Sequence, residues 1–116
     1  MQTTKIPSNI EECIEAVKEI APQVIKMFLD CEDEYITYSY HFNFGMYLRN
    51  NWHLWHKNKL TKYFNDLGIT HADDMSSIIL ISTYRSVHNR KINLKQQVKY
   101  YQDFWKTKGR KNESIH

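Results

Sequence analysis

Glycine is scarce in this chain, with three residues in 116. A phosphate-cradling loop needs several glycines close together so that backbone amides can approach the anion, and no such cluster is present. Cysteine is as sparse. Cys13 and Cys31 are the only two, and their separation matches no zinc-ligand spacing. No apolar run approaches the ~20 residues that cross a bilayer, so no membrane partner is expected. The first seven residues hold no apolar stretch of the secretion-signal kind, which points to the cytosol. In that reducing compartment the two thiols are expected to be small buried hydrophobes rather than a bridge. A serine elbow and a helical His-Glu-x-x-His pattern are missing too. The expectation is therefore a protein that is not an enzyme and that carries no metal and no cofactor.

Hydrophobic residues make up 41% and charged residues 25% of the chain, an ordinary soluble composition. A chain of this length buries about two thirds of its unfolded surface in one core. The expected organisation is an arm at 1–7, a single helical domain at 8–105 and a basic tail at 106–116.

Apolar spacing predicts an all-α fold, a bundle of five or six helices. Ser8 and Glu11 form a box-like start. Ile10, Cys13, Ile14, Val17, Ile20 and Ala21 then recur at three- and four-residue intervals. Pro22 lacks the donor a continuing helix uses, so it marks either a kink or the first turn of a second helix through Leu29. From Ile36 to Phe44 large and polar residues alternate, as in a half-buried strand, whereas from Tyr40 to Trp55 the spacing is helical. A helix over much of 35–52 is the better reading, since no partner strand is evident and a lone strand leaves its edges unpaired. Gly45 within it is either tolerated or marks a close approach. Leu60, Tyr63, Phe64 and Leu67 give a helix ended by Gly68. Residues 72–88, the most apolar helix, start at a Thr70–Asp73 box and should lie at the centre. The last helix follows Asn93 and stops before Gly109.

Ten of the sixteen aromatic residues lie between Tyr35 and Phe64, a concentration expected to form the middle of the core. Inside it Arg49, Asn50 and Asn51 are expected to be a polar core, with Arg49 paired to Asp73 or Asp74. The alternative is a guanidinium stacked on rings that holds a ligand carboxylate. His71, Asp73 and Asp74 resemble an acid–base or metal cluster, but acids in a first helical turn more simply serve the helix dipole. Arg49, His71 and Asp74 are the residues that an unrecognised enzyme would use.

Charge is divided along the chain. Residues 1–34 hold three lysines against eight acids, while residues 35–116 hold thirteen Lys or Arg against five acids. The acids Glu11, Glu12, Glu15, Glu19, Asp30, Glu32, Asp33 and Glu34 are the candidate partner-binding surface, suited to steering a basic protein into contact. At the other end Lys95, Lys99, Lys106, Lys108, Arg110 and Lys111, with Tyr100, Tyr101 and Trp105, supply the charge and rings of a nucleic-acid surface.

Three segments carry a resemblance. Phe44-Gly45-Met46-Tyr47-Leu48-Arg49-Asn50-Asn51-Trp52-His53-Leu54-Trp55, then Leu60 to Ile69, then Asp73-Asp74-Met75-Ser76-Ser77-Ile78-Ile79-Leu80 resemble a family of small bacterial domains without an assigned biochemical function. The likeness runs from about His41 to Trp105 and implies no catalytic residues. Domains of this size and kind include immunity proteins that neutralise a toxin, such as a nuclease, by covering its active site. That role is the expected function, with nucleic-acid binding through the basic half as the alternative.

Overall fold

Asn9 begins the first helix. Its side chain accepts a hydrogen bond from Glu12 N at 2.9 Å, and Glu12 Oε1 accepts one from Ser8 N at 2.8 Å. The box thus sits one residue later than the Ser8–Glu11 spacing suggested, because asparagine caps as well as serine does. This computed structural model describes the backbone of residues 5–115 and the side chains of residues 5–108, and every regular element among them is helical.

Helix α1, Ile10–Ile20, buries Ile10, Cys13, Ile14 and Val17. Pro22 proves to be the first turn of a new helix, α2, Pro22–Asp30, which buries Val24 and Phe28. The segment expected as one helix over 35–52 is two: α3, Ile36–Ser39, and α4, Phe44–Asn51. Between them the chain turns, and Gly45 N reaches Tyr40 O at 2.7 Å. The ring alternation from Ile36 to Phe44 comes from this single turn plus reversal, not from a strand. Helix α5, Lys59–Leu67, starts at a reciprocal Asn58–Thr61 box. It ends at Gly68, whose φ of 99° needs a residue without Cβ. There Gly68 N bonds Asn65 O and Ile69 N bonds Phe64 O, which satisfies two terminal carbonyls.

Helix α6, Ala72–Val87, is the centre, touching α1, α2, α3, α4 and helix α7, Leu94–Ile115. Its Met75, Ile78, Ile79, Leu80 and Tyr84 share one buried core with Phe28, Leu48, Trp52, Leu60 and Phe64. Each such side chain contributes about 1.5–3 kcal/mol by leaving water. His71 caps α6 without a side-chain bond, so the Thr70–Asp73 box is not formed. The seven helices among the described residues exceed the expected five or six, since the middle segment divides and Pro22 separates α1 from α2. The last helix also continues through Gly109 rather than stopping there.

The far end of α6 is fastened by polar bonds to the α2–α3 connection. Tyr84 Oη donates to Cys31 O at 2.6 Å, and His88 Nε2 lies 2.7 Å from Phe28 O. Arg85 grips Glu34 with Nε and Nη2 at 2.7 and 3.0 Å and donates Nη1 to Ile92 O at 2.7 Å. The cluster joins the α2–α3 and α6–α7 connections across more than 50 residues of chain, which the pairing of Glu34 with Arg85 alone spans.

Candidate functional site

Arg49 is 2% exposed, an uncommon position for a charged guanidinium. Its Nη1 donates to Ser76 Oγ at 2.7 Å, Nη2 to His41 O at 3.3 Å, and Nε stands 3.4 Å from Asp73 Oδ1. That last contact is an ion pair without hydrogen-bond alignment, for Nε has no bonded acceptor. Gly45, one turn before, makes the room: a Cβ there would lie 3.1 Å from Arg49 Nη1. The fork therefore clamps α4 and the turn at His41 onto the first turns of α6. Of the two expected acids, Asp73 is the partner. Asn50 and Asn51 do not join this polar core; both face solvent, where Asn51 bonds back to Tyr47 O and Asn50 accepts from Trp55 Nε1.

Asp74 lies on another side of α6. Trp105 Nε1 donates to its Oδ2 at 2.8 Å, and His71 Nδ1 is 3.9 Å from the same oxygen. The imidazole lies flat on the indole, centroids 3.9 Å apart and planes 8° apart. Burial lifts the Asp74 carboxyl above its ordinary range, against the opposing pull of the Trp105 bond and of His71. These groups line a groove of about 950 Å³ between the start of α6 and α7, together with Gly68 and Tyr101. Arg49 does not line it. The three groups that catalysis would use are thus not assembled: Asp74 already accepts from an indole, and His71 is covered on one face. The arrangement fastens α7 to the domain.

A serine–imidazole contact, Ser77 Oγ to His41 Nδ1 at 3.3 Å, lies nearby. Ser77 stands in the middle of α6, whose backbone amides are committed to the helix, so it has no donor pair of the kind that stabilises an oxyanion. Tyr101 is half-buried, and burial pushes its hydroxyl up to about 12, so it is not a free stacking ring. Cys13 is buried and free, and burial pushes its thiol up, away from reactivity. Among the described residues no group of three or more His, Cys, Asp or Glu side chains could hold a metal ion, and no helix is long and apolar enough to cross a membrane.

The eight N-terminal acids divide into two sets. Glu12 caps α1, Glu15 pairs with Lys18 at 3.2 Å, Asp30 with Lys26 at 3.6 Å, Asp33 accepts from Tyr35 N, and Glu34 is held by Arg85. Glu11, Glu19 and Glu32 are exposed and make no side-chain bond among the described residues. Glu34 is consequently a structural residue rather than an open contact.

The ring-rich middle is also not the solid core that its composition suggested. Trp52 and Phe64 are buried, but Tyr35, Tyr38, Phe42, Tyr47 and Trp55 face solvent, Phe42 at 81%. Eight of the eleven exposed large apolar side chains of the described residues fall between Met27 and Trp55, and the other three are on α7. On α4 the outward face is Met46, Tyr47, Asn50 and Asn51, with Tyr47 stacked on Phe44. The sequence did hold a sign of this face, since two asparagines beside two large apolar residues at one-turn spacing suit a surface better than a core.

Compared with known proteins, residues 6–87 match the profile of a domain of unknown function (DUF6794). The match includes the acidic helices α1 and α2, which the resemblance read from His41 onward left out, and it stops before α7. No curated protein and no solved structure matches the chain.

Proposed function

The chain belongs to the DUF6794 family, and within that family's span we propose a protein-binding module whose contact surface is the outward face of residues 27–55. The observation that carries the reading is the concentration of Met27, Leu29, Tyr35, Tyr38, Phe42, Met46, Tyr47 and Trp55 in solvent. Interfaces are enriched in Tyr, Trp, Phe and Met at their centres, and large exposed apolar patches mark association sites. Asp30, Glu32 and Asp33 border the rings in sequence, while Glu11 and Glu19 extend the negative field along α1. A basic protein surface is the complementary partner. Its most concrete form is an immunity-type role: covering the active site of a basic toxin, such as a nuclease, by steric and electrostatic occlusion without catalysis. Size, the acidic face and the exposed rings support that form.

The test begins with capture of the tagged protein's stoichiometric partner from its source cells. Binding kinetics then compare the parent with Tyr35→Ser, Phe42→Ser and Trp55→Ser, and with Glu11→Lys/Glu19→Lys/Glu32→Lys. Truncating a central ring costs about 2 kcal/mol or more, seen mainly as faster dissociation. Reversing the free acids slows association at low salt. Coexpression with this protein should also relieve growth inhibition by the partner. A partner whose kinetics ignore all three ring substitutions would refute the surface, and a non-toxic partner would remove the immunity role.

A further inference from the structure

Helix α7 lies outside the family match and carries its own exposed chemistry. We propose that it is a binding surface for single-stranded nucleic acid, with lysines on the phosphates and two rings stacking on bases. One face of α7 is committed to the domain: Gln97 and Val98 are buried, Gln97 Nε2 bonds Ser82 Oγ at 3.1 Å, and Trp105 is held by Asp74. Tyr100, 64% exposed, and Phe104, 45% exposed, stand one turn apart along one flank of the docked face and are therefore side by side. Lys95, Lys99 and Lys106 are exposed along the other flank, beside the groove, and Lys108 is exposed one turn after Phe104. Lys108 Nζ already stands 5.6 Å over the Phe104 ring, so ring and cation serve one spot. Only Asp103, bonded to Lys99 at 2.7 Å, offsets this charge among the described side chains of α7. After Trp105 three successive positions, Lys106, Thr107 and Lys108, are exposed, so the helix has left the domain while its backbone continues to Ile115.

Rings along one flank and cations along the other, about a helix width apart, are the two components of sequence-tolerant single-strand binding: the cations follow the backbone and any base has a face to stack. An acidic polypeptide would use the lysines but leave Tyr100 and Phe104 without a role, and a duplex would hide its base faces. The negative field of the N-terminal acids additionally turns the basic end toward a polyanion.

The experiment is fluorescence anisotropy of the full chain with a labelled twelve-nucleotide oligo-dT, at salt from 50 to 200 mM. Four phosphate contacts give a slope of log K against log salt of about −3. Tyr100→Ala and Phe104→Ala should each weaken binding by about tenfold and leave the slope unchanged. Lys106→Gln/Lys108→Gln should flatten the slope by about 1.4. These side chains are solvent-exposed, and a thermal melt of each variant confirms an intact fold. Unchanged affinity of both ring variants, equal affinity for polyglutamate, tighter binding of the matching duplex, or no binding at 50 mM salt would each overturn the proposal.

Discussion

Substituting Arg49 with lysine should destabilise the protein more than substituting it with methionine. The guanidinium is buried, and its positive charge is compensated by Ser76 Oγ at 2.7 Å, His41 O at 3.3 Å and Asp73 Oδ1 at 3.4 Å. Methionine keeps the apolar stem and removes the charge with its desolvation. Ser76 Oγ still donates to Asp73 O at 3.1 Å, and Asp73, 63% exposed, is left in water rather than stranded. What is lost is two charge-assisted hydrogen bonds, offset by the recovered desolvation, for a net cost of about 2 kcal/mol. Lysine keeps the buried charge but replaces a three-way fork with a single ammonium that cannot reach three acceptors at once. An undercompensated buried cation costs about 3–5 kcal/mol.

The stability order is therefore parent, then Arg49→Met, then Arg49→Lys. Urea unfolding at pH 7 measures it, with the dependence on denaturant checked for constancy so that the midpoints can be compared. Each kcal/mol corresponds to about 4 °C in Tm for a domain of this size, so the two variants should melt several degrees apart. A lysine variant as stable as the parent, or more stable than the methionine variant, would show that the geometry of the fork contributes nothing.

Gly45→Ala follows from the same site. Alanine gains about 1 kcal/mol of helix propensity, but its Cβ would sit 3.1 Å from Arg49 Nη1 and 3.4 Å from Tyr40 O. The substitution should be neutral or destabilising in the parent and stabilising in the Arg49→Met background, a sign change that a double-mutant cycle reads directly. For Asp74, a carboxyl raised above its unfolded value of 3.8 holds its proton more tightly in the folded state. Its ionisation consequently weakens the fold as pH rises from 3.8 through the folded value. Asp74→Asn keeps an acceptor for Trp105 and should gain stability relative to the parent on going from pH 4 to pH 7; melts at both values check the sign. Glu34→Gln loses half of a partly exposed bidentate pair with Arg85. It should cost about 1 kcal/mol in urea unfolding, and no change would make the grip of α6 on the α2–α3 connection incidental.

Local signals carried much of this fold. Pro22 at a helix start, Gly68 at a left-handed stop and the apolar run of 72–88 each fix an element by chemistry within a few residues, and all three were legible. The middle segment was not, because its rings satisfy two periods at once. Which of them face inward depends on the turn at 40–43 and on α6 arriving from more than thirty residues away. Arg49 shows the same limit. Its type announced a buried partner, but the choice of Asp73 over Asp74 rests on the rotation of α6 and on Trp105, from α7, already occupying Asp74. Pairing of Glu34 with Arg85 is a tertiary fact with no local signature.

The internal roles of these charges decide which of them can report on a partner. Glu34, Asp73 and Asp74 are adjacent to Arg85, Arg49 and Trp105, so altering any of them disturbs how α6 is held before it disturbs any surface. A loss of binding at those positions would not separate interface from fold. Glu11, Glu19 and Glu32 have no such attachment among the described residues, and Tyr35, Phe42 and Trp55 project from the domain. Tyr100 and Phe104 stand equally free on α7. The core is built from the inward side chains of α1, α2, α4, α5 and α6, while the groups available for recognition lie outside it. Because the two outward surfaces use different rings, substitutions at Tyr35, Phe42 and Trp55 and those at Tyr100 and Phe104 on α7 should affect different partners. Cross-effects between the two sets would mean that a single ligand spans both.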